Sequence, residues 1–307
     1  MKIKFFLILC FGILVSCKTT TKQVETADEP KDFELPVVPP VIADTREAYV
    51  FIATDYWENF IFSDSTAYKQ STEQIFVNFL NILPHLNLSE ILQSMAIMMQ
   101  YAEADSAGYI RLTNICEKYL YGANSPYRSD ELYIPVLQSI IKTKWIDEQH
   151  KAIPEYRLKM AQKNRIGNQA ADFVYTLESG KSNKMSNIKT EFTLLFINNP
   201  DCHACTEYAE RIQSSSVIQQ MIAEKKLTVL AIYPDEDLTE WKKHQQKIPA
   251  NWINAYDSKL EIKKNEIYDL RAIPTLYLLD KNKNVLLKDT FAESVDRYLN
   301  AVLANNS

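Results

Sequence analysis

The chain is poor in glycine, with five in 307 residues. Folds that wrap backbone around phosphate need glycine where main chain meets ligand. Neither GxGxxG nor GxxxxGK[ST] occurs, which argues against dinucleotide and P-loop chemistry. Histidine is just as scarce, four residues and no HExxH, so a histidine-built zinc site is not expected. Basic residues are outnumbered, 34 Lys and Arg against 39 Asp and Glu, for a formal net charge of −5. Without a basic block, such a chain is a poor nucleic-acid binder. What the sequence does hold is apolar side chains, 46% of the total. That is ample for a packed core, and the length suggests about two domains.

Residues 1–16 begin with Lys2 and Lys4 and continue into an apolar run, Phe5 to Val15. The run is shorter than the ~20 residues of a membrane span and has the anatomy of a secretory signal. It ends Leu14-Val15-Ser16-Cys17, which resembles the bacterial lipobox. The resemblance implies that Cys17 is acylated and becomes the mature amino terminus, on a lipid anchor in the cell envelope. An ordinary cleaved signal ending by chance at a cysteine is the alternative. Residues 17–43 carry Pro30, Pro36, Pro39 and Pro40, many polar residues and one aromatic, and read as an extended, mobile tether.

From 44 to 165 the apolar spacing is helical. Ile75, Phe76, Phe79, Leu80 and Leu83 make one stripe. Ile91, Met95, Met98, Met99 and Ala102 make a second, behind a candidate cap at Ser89, and its methionines read as core filler. Leu137, Ile140, Ile141, Lys144 and Trp145 make a third, after a loop at 120–128. From 166 to 307 the pattern is α/β. Phe192–Ile197 and Leu227–Tyr233 are continuous apolar runs, expected as strands covered on both faces. Ile253–Tyr256 is a weaker strand, residues 275–289 read as a hairpin, and 293–303 as an amphipathic helix.

The chemistry lies in Asn199-Pro-Asp-Cys-His-Ala-Cys-Thr206. Cys202 and Cys205 follow the first buried strand and open a helix. Sulfurs three residues apart across a first turn can close a disulfide with little backbone movement. Helix N–H groups favour a thiolate at Cys202, making it the attacking sulfur, with Cys205 resolving. By itself CxxC also admits half a zinc site or an inert disulfide. A zinc site wants further ligands, and the other cysteine of the folded part, Cys116, stands alone.

Three motifs in order sharpen this. Ile166-Gly-Asn-Gln-Ala-Ala-Asp-Phe173 has a Gly-x-x-Ala-x-x-Phe pattern, the CxxC follows the first buried strand, and Ala272-Ile-Pro-Thr275 precedes a later one. Together they resemble the thioredoxin superfamily, most closely the TlpA/ResA-like thiol-disulfide oxidoreductases. The resemblance covers 165–307 and implies a thioredoxin-like α/β domain behind a separate all-α domain. It also implies a cis bond at Pro274 facing the CxxC, and substrate hydrogen bonds at Ile273. The helical part looks, more loosely, like the accessory domain of some bacterial lipoproteins. Asp201 stands where many thioredoxins have Trp; its carboxylate opposes a thiolate at Cys202, and a protonated His203 would offset it. Phe196 replaces the family's buried acid, and Glu210 its helix proline, so the proton acceptor for Cys205 is unassigned; Glu207 and Glu210 are near enough in sequence to be candidates, against their reading as exposed helix carboxylates.

The expected function is a membrane-tethered thiol-disulfide oxidoreductase of the cell envelope. Its partners are envelope proteins with thiols or disulfides and a redox protein that recycles the CxxC; no cofactor and no metal is expected. A peroxidase would need Pro and Thr at positions held by Leu195 and Asn199. The competing class is a non-catalytic lipoprotein binding module with the CxxC locked as a structural disulfide. Reductase, oxidase and isomerase directions all stay open.

Overall fold

The structure, a computed structural model, describes residues 30–305. Cys17, the leader and the first part of the tether lie outside the described residues. The rest of the tether, 30–43, carries no helix, but its start is docked. Lys31 donates its N–H to the Ala67 carbonyl at 3.1 Å, and Phe33 packs against Tyr56 and edge-on against Tyr68. The half-buried ring adds to a two-way backbone pairing, in which Lys69 returns its N–H to the Lys31 carbonyl at 2.9 Å.

The helical domain comprises α1 (Thr45–Asp55), α2 (Thr72–Leu80), α3 (Leu88–Ala102), α4 (Ser106–Cys116), α5 (Asp130–Lys142) and α6 (Glu148–Ala161). Each starts at a side chain that accepts a backbone N–H three residues on: Asp44, Ser71, Asn87, Asp105, Ser129 and Asp147. These caps satisfy donors that the helix itself cannot pair. The cap of α3 is Asn87 rather than Ser89, because Glu90 reaches back to the Asn87 N–H and closes a reciprocal capping box. The methionines of α3 are buried in a core with Trp57, Phe76 and Phe79. At Gly108, α4 crosses so close to the Phe62 carbonyl that a Cβ would collide with it. The third stripe is shorter than its spacing suggested. Thr143 turns extended, α5 stops at Lys142, and Trp145 instead donates its indole N–H to the Glu103 carbonyl at 3.1 Å.

The second domain is a seven-stranded sheet of β1 (Val174–Leu177), β2 (Ser182–Lys184), β3 (Phe192–Ile197), β4 (Leu227–Tyr233), β5 (Ile253–Tyr256), β6 (Thr275–Leu279) and β7 (Val285–Leu287), in the order β2-β1-β5-β4-β3-β6-β7. β3, β4 and β5 are parallel, and β6 lies antiparallel beside β3. On one face lie α7 (His203–Ser214), α8 (Ser216–Ala223) and α11 (Ala292–Asn305), with Ile212, Ile218, Met221, Val295 and Leu299 over Leu194, Phe196 and Val229. On the other, Phe173, Ile262 and Tyr268 cover Leu195, Leu230 and Tyr277. The short α9 (Leu238–Lys243) and α10 (Glu261–Lys264) join strands. Coverage on both faces is why β3 and β4 are apolar at nearly every position. The β1–β2 hairpin, turning at Gly180 with φ +81°, was not expected from its short, mixed sequence.

A buried charge network joins the domains. Asp130, at the start of α5, pairs with Arg271 at 2.8 Å and Lys288 at 2.9 Å. Asp289 pairs with the same Arg271 and with Arg128 of the helical domain, each at 3.0 Å. Lys288 also donates to the Ala161 and Lys163 carbonyls at the end of α6, where a cation suits the helix dipole. Burial by itself would raise the Asp130 carboxyl, but Lys288 and Arg271 outweigh it and hold it below the usual range. Its contribution to stability is therefore present at neutral pH and lost as pH falls through that depressed value. Asp130→Ala, which leaves Arg271 and Lys288 short of a partner, is expected to cost about 3–5 kcal/mol. Urea unfolding measures it; a loss under ~1 kcal/mol, the worth of an exposed pair, would contradict this role.

Candidate active site

β3 runs out at Ile197, and Asn199-Pro200-Asp201 turns the chain into α7. Cys202 is the helix N-cap, and its Sγ accepts the Cys205 N–H at 3.1 Å. That donor is one a helix leaves unpaired, so it points at sulfur without costing an intrahelical bond. The thiol also lies 3.5 Å from the Ile273 carbonyl. The Ile273–Pro274 bond is cis, and the Ala272–Thr275 segment leads straight into β6, the neighbour of β3. Thr275 Oγ1 donates to the Ala272 carbonyl at 2.6 Å and closes that turn. Sheet pairing between β3 and β6 thus brings the CxxC and the Ile273 loop together across 71 residues.

The two sulfurs differ. Cys202 is half-buried, whereas Cys205 is 5% exposed, packed with Ala209 and Phe196. Burial pushes the Cys205 thiol well above its ordinary value, opposed only in part by the Asn199 N–H at 3.5 Å. Neither sulfur is bonded to another in this structure. Cys116, the third described cysteine, is sealed in the helical core, where burial raises its thiol strongly.

Asp201 and His203 flank the first sulfur differently. The His203 ring is exposed and lies 3.5 Å from Glu207, one turn along α7. Asp201 instead faces His244, Oδ1 to Nε2 at 3.7 Å. His244 was not singled out from the sequence, 42 positions from Cys202 and just beyond the end of α9. Together with Glu240 these two are the one group of potential metal ligands that converges among the described residues. They are two carboxylates and one imidazole, without a thiolate. A cavity of about 340 Å³ opens behind the CxxC turn, lined among others by Cys205, Asn199, Glu210, Trp241 and His244.

Comparison with known proteins agrees with this fold. A family model described as thioredoxin-like matches residues 190–285, and one for a domain of unknown function (DUF5106) matches residues 16–164. A thioredoxin-like protein from Bacteroides caccae is 42% identical, over 88% of this chain and 99% of that one, with a TM-score of 0.82. The chain belongs to the thioredoxin-like family. The C-terminal domain of an uncharacterized Bacteroides fragilis protein is 55% identical over 45% of this chain and 98% of its own, with a TM-score of 0.44. A search of curated proteins finds no match.

In this thioredoxin-like domain, exposure and burial set the order of reaction, since the thiolate is the nucleophile. At pH 7 iodoacetamide should modify Cys202 and leave Cys205 and Cys116 intact, as peptide mass spectrometry would read. Modification of Cys205 first would contradict the assignment of roles.

Proposed function

We propose that this protein is a thiol-disulfide oxidoreductase, tethered through Cys17 to a membrane of the bacterial cell envelope and acting on proteins there. The observation that carries this reading is the unequal pair. A reachable Cys202 sits under a helix amide and beside the Ile273 carbonyl, with a buried Cys205 one turn behind it. A purely structural disulfide has no need of a reachable sulfur beside a loop that can take an extended segment.

In the reducing direction, Cys202 thiolate attacks a substrate disulfide. A Cys202–substrate bond forms, and the substrate's other sulfur leaves as thiolate. Cys205 then attacks Cys202 Sγ, the internal disulfide forms, and the second substrate thiolate departs. Two electrons pass from the dithiol to the substrate; oxidation of a substrate dithiol is the reverse. The Ile273 backbone lies where it can pair with an extended substrate segment, a one-strand addition that orients the disulfide toward Cys202.

In cells, Cys205→Ser should accumulate mixed disulfides on Cys202 with envelope proteins, seen as adducts that vanish on reduction. Adding Cys202→Ser should abolish them, and Cys17→Ser should move the protein from the membrane to the soluble fraction. If Cys205→Ser traps nothing while the unaltered protein keeps a disulfide that glutathione cannot reduce, the oxidoreductase reading fails.

A further inference from the structure

Resolution of the mixed disulfide needs a base within reach of Cys205. Cys205 must lose its proton to attack Cys202, yet burial favours the thiol. The β3 residue beneath it is Phe196, which brings no carboxylate. The acceptor has to come from the cavity wall, where the ionisable side chains besides Cys205 are Glu210, His244 and Lys247.

Of these, His244 has the geometry of a base. Its Nδ1 lies 3.0 Å from the Glu240 carbonyl, an atom that can only accept. Nδ1 is therefore a donor, so in the neutral ring the lone pair falls on Nε2. Nε2 faces Asp201, the residue before Cys202. The ring is mostly covered, with 14% of the side chain exposed, whereas Glu210 lies on the exposed side of α7 and Lys247 is a cation. Charge on the ring would be met by Asp201 from the CxxC turn and Glu240 from α9, at 3.7 and 3.4 Å; Glu210 lines the cavity from α7, and Lys247 lines it from the His244 side, its N–H donating to the His244 carbonyl at 3.0 Å. The space is ample for water, which needs only about 10–15 Å³.

We propose that His244 is the proton acceptor for Cys205 in the resolving step, taking the thiol proton on Nε2 through water in the cavity they share. The inference rests on the oxidoreductase reading. The Cys205 S–H bond breaks and its proton passes through water to Nε2. The sulfur then attacks Cys202 Sγ, the Cys202–substrate bond breaks, and the electron pair leaves on the substrate sulfur. In the reverse direction the imidazolium protonates Cys205 as it leaves.

The test is stopped-flow reaction of the reduced protein with 5,5′-dithiobis(2-nitrobenzoate). One thionitrobenzoate is released when Cys202 is modified and a second when Cys205 resolves. His244→Asn keeps a donor for the Glu240 carbonyl and removes the base. It should slow the second release about 100-fold at pH 7, change its pH profile to a rise with hydroxide, and leave the first release within about twofold. An unchanged first release also shows that the variant is folded; if His244→Asn fails that control, His244→Gln is read the same way. A second release unaffected in the variant, or one lost in Glu210→Gln instead, overturns the role of His244 and leaves the oxidoreductase reading standing. Absence of the first release in the unaltered protein would defeat that reading, and this one with it.

Discussion

Asp130, Arg271 and Asp289 are charges withdrawn from water, and each is tolerable only while the others are in place. Ionised groups lose several kcal/mol of hydration on burial and recover it only through well-made pairs. Here the pairs cross the domain boundary. Asp130 and Arg128 come from the helical domain, Arg271, Lys288 and Asp289 from the sheet domain. Arg271 stands three residues before Pro274, and its guanidinium also lies 4.3 Å from the centre of the Tyr121 ring of the helical domain. The helical domain thus grips the segment that ends at the Ile273 carbonyl. Asn164 adds to the grip from the linker, donating to the Ile267 carbonyl at 2.7 Å while accepting the Ala171 N–H at 2.8 Å.

The Cys202–Cys205 pair depends on a different asymmetry, one written into the first turn of α7. A residue at the helix start meets unpaired N–H groups and water. A residue three positions later meets its own turn and the strand below. Cys202 and Cys205 occupy those two places, so one sulfur can be reached and the other is kept protonated by burial. Sheet topology supplies the third part, since β6 pairs antiparallel with β3 and sets Ile273 beside Cys202.

Much of this was legible in the sequence because it is local. The apolar runs of β3 and β4, the CxxC after β3, the strand after Pro274 and the stripe of α11 each lie within a dozen residues of chain. What escaped was non-local or short. Ser182–Lys184 is a three-residue strand with no apolar side chain, paired only because Gly180 turns it back on β1. The choice of Asn87 over Ser89 as cap was decided by Glu90 closing the box from the other side. The Asp130–Arg271 pair spans 141 positions, and neither residue differs in the sequence from an ordinary surface charge. His244 belongs with these. A histidine after a short charged helix carries no signal until the fold sets it beside the CxxC turn. Residues 31–33 show the reverse, a polar, proline-flanked segment held by backbone bonds at Lys31 and by the Phe33 ring.

The central claim is reversible exchange at Cys202 and Cys205, and its most direct test is a redox titration. The folded chain from residue 30 onward, equilibrated in glutathione buffers of graded potential and quenched with a mass tag, should show one two-electron transition. Its midpoint should fall among the known exchange catalysts, roughly −120 to −270 mV, with Cys116 reduced throughout. A disulfide that stays closed across the whole glutathione range, or two thiols that never bridge, would contradict the account.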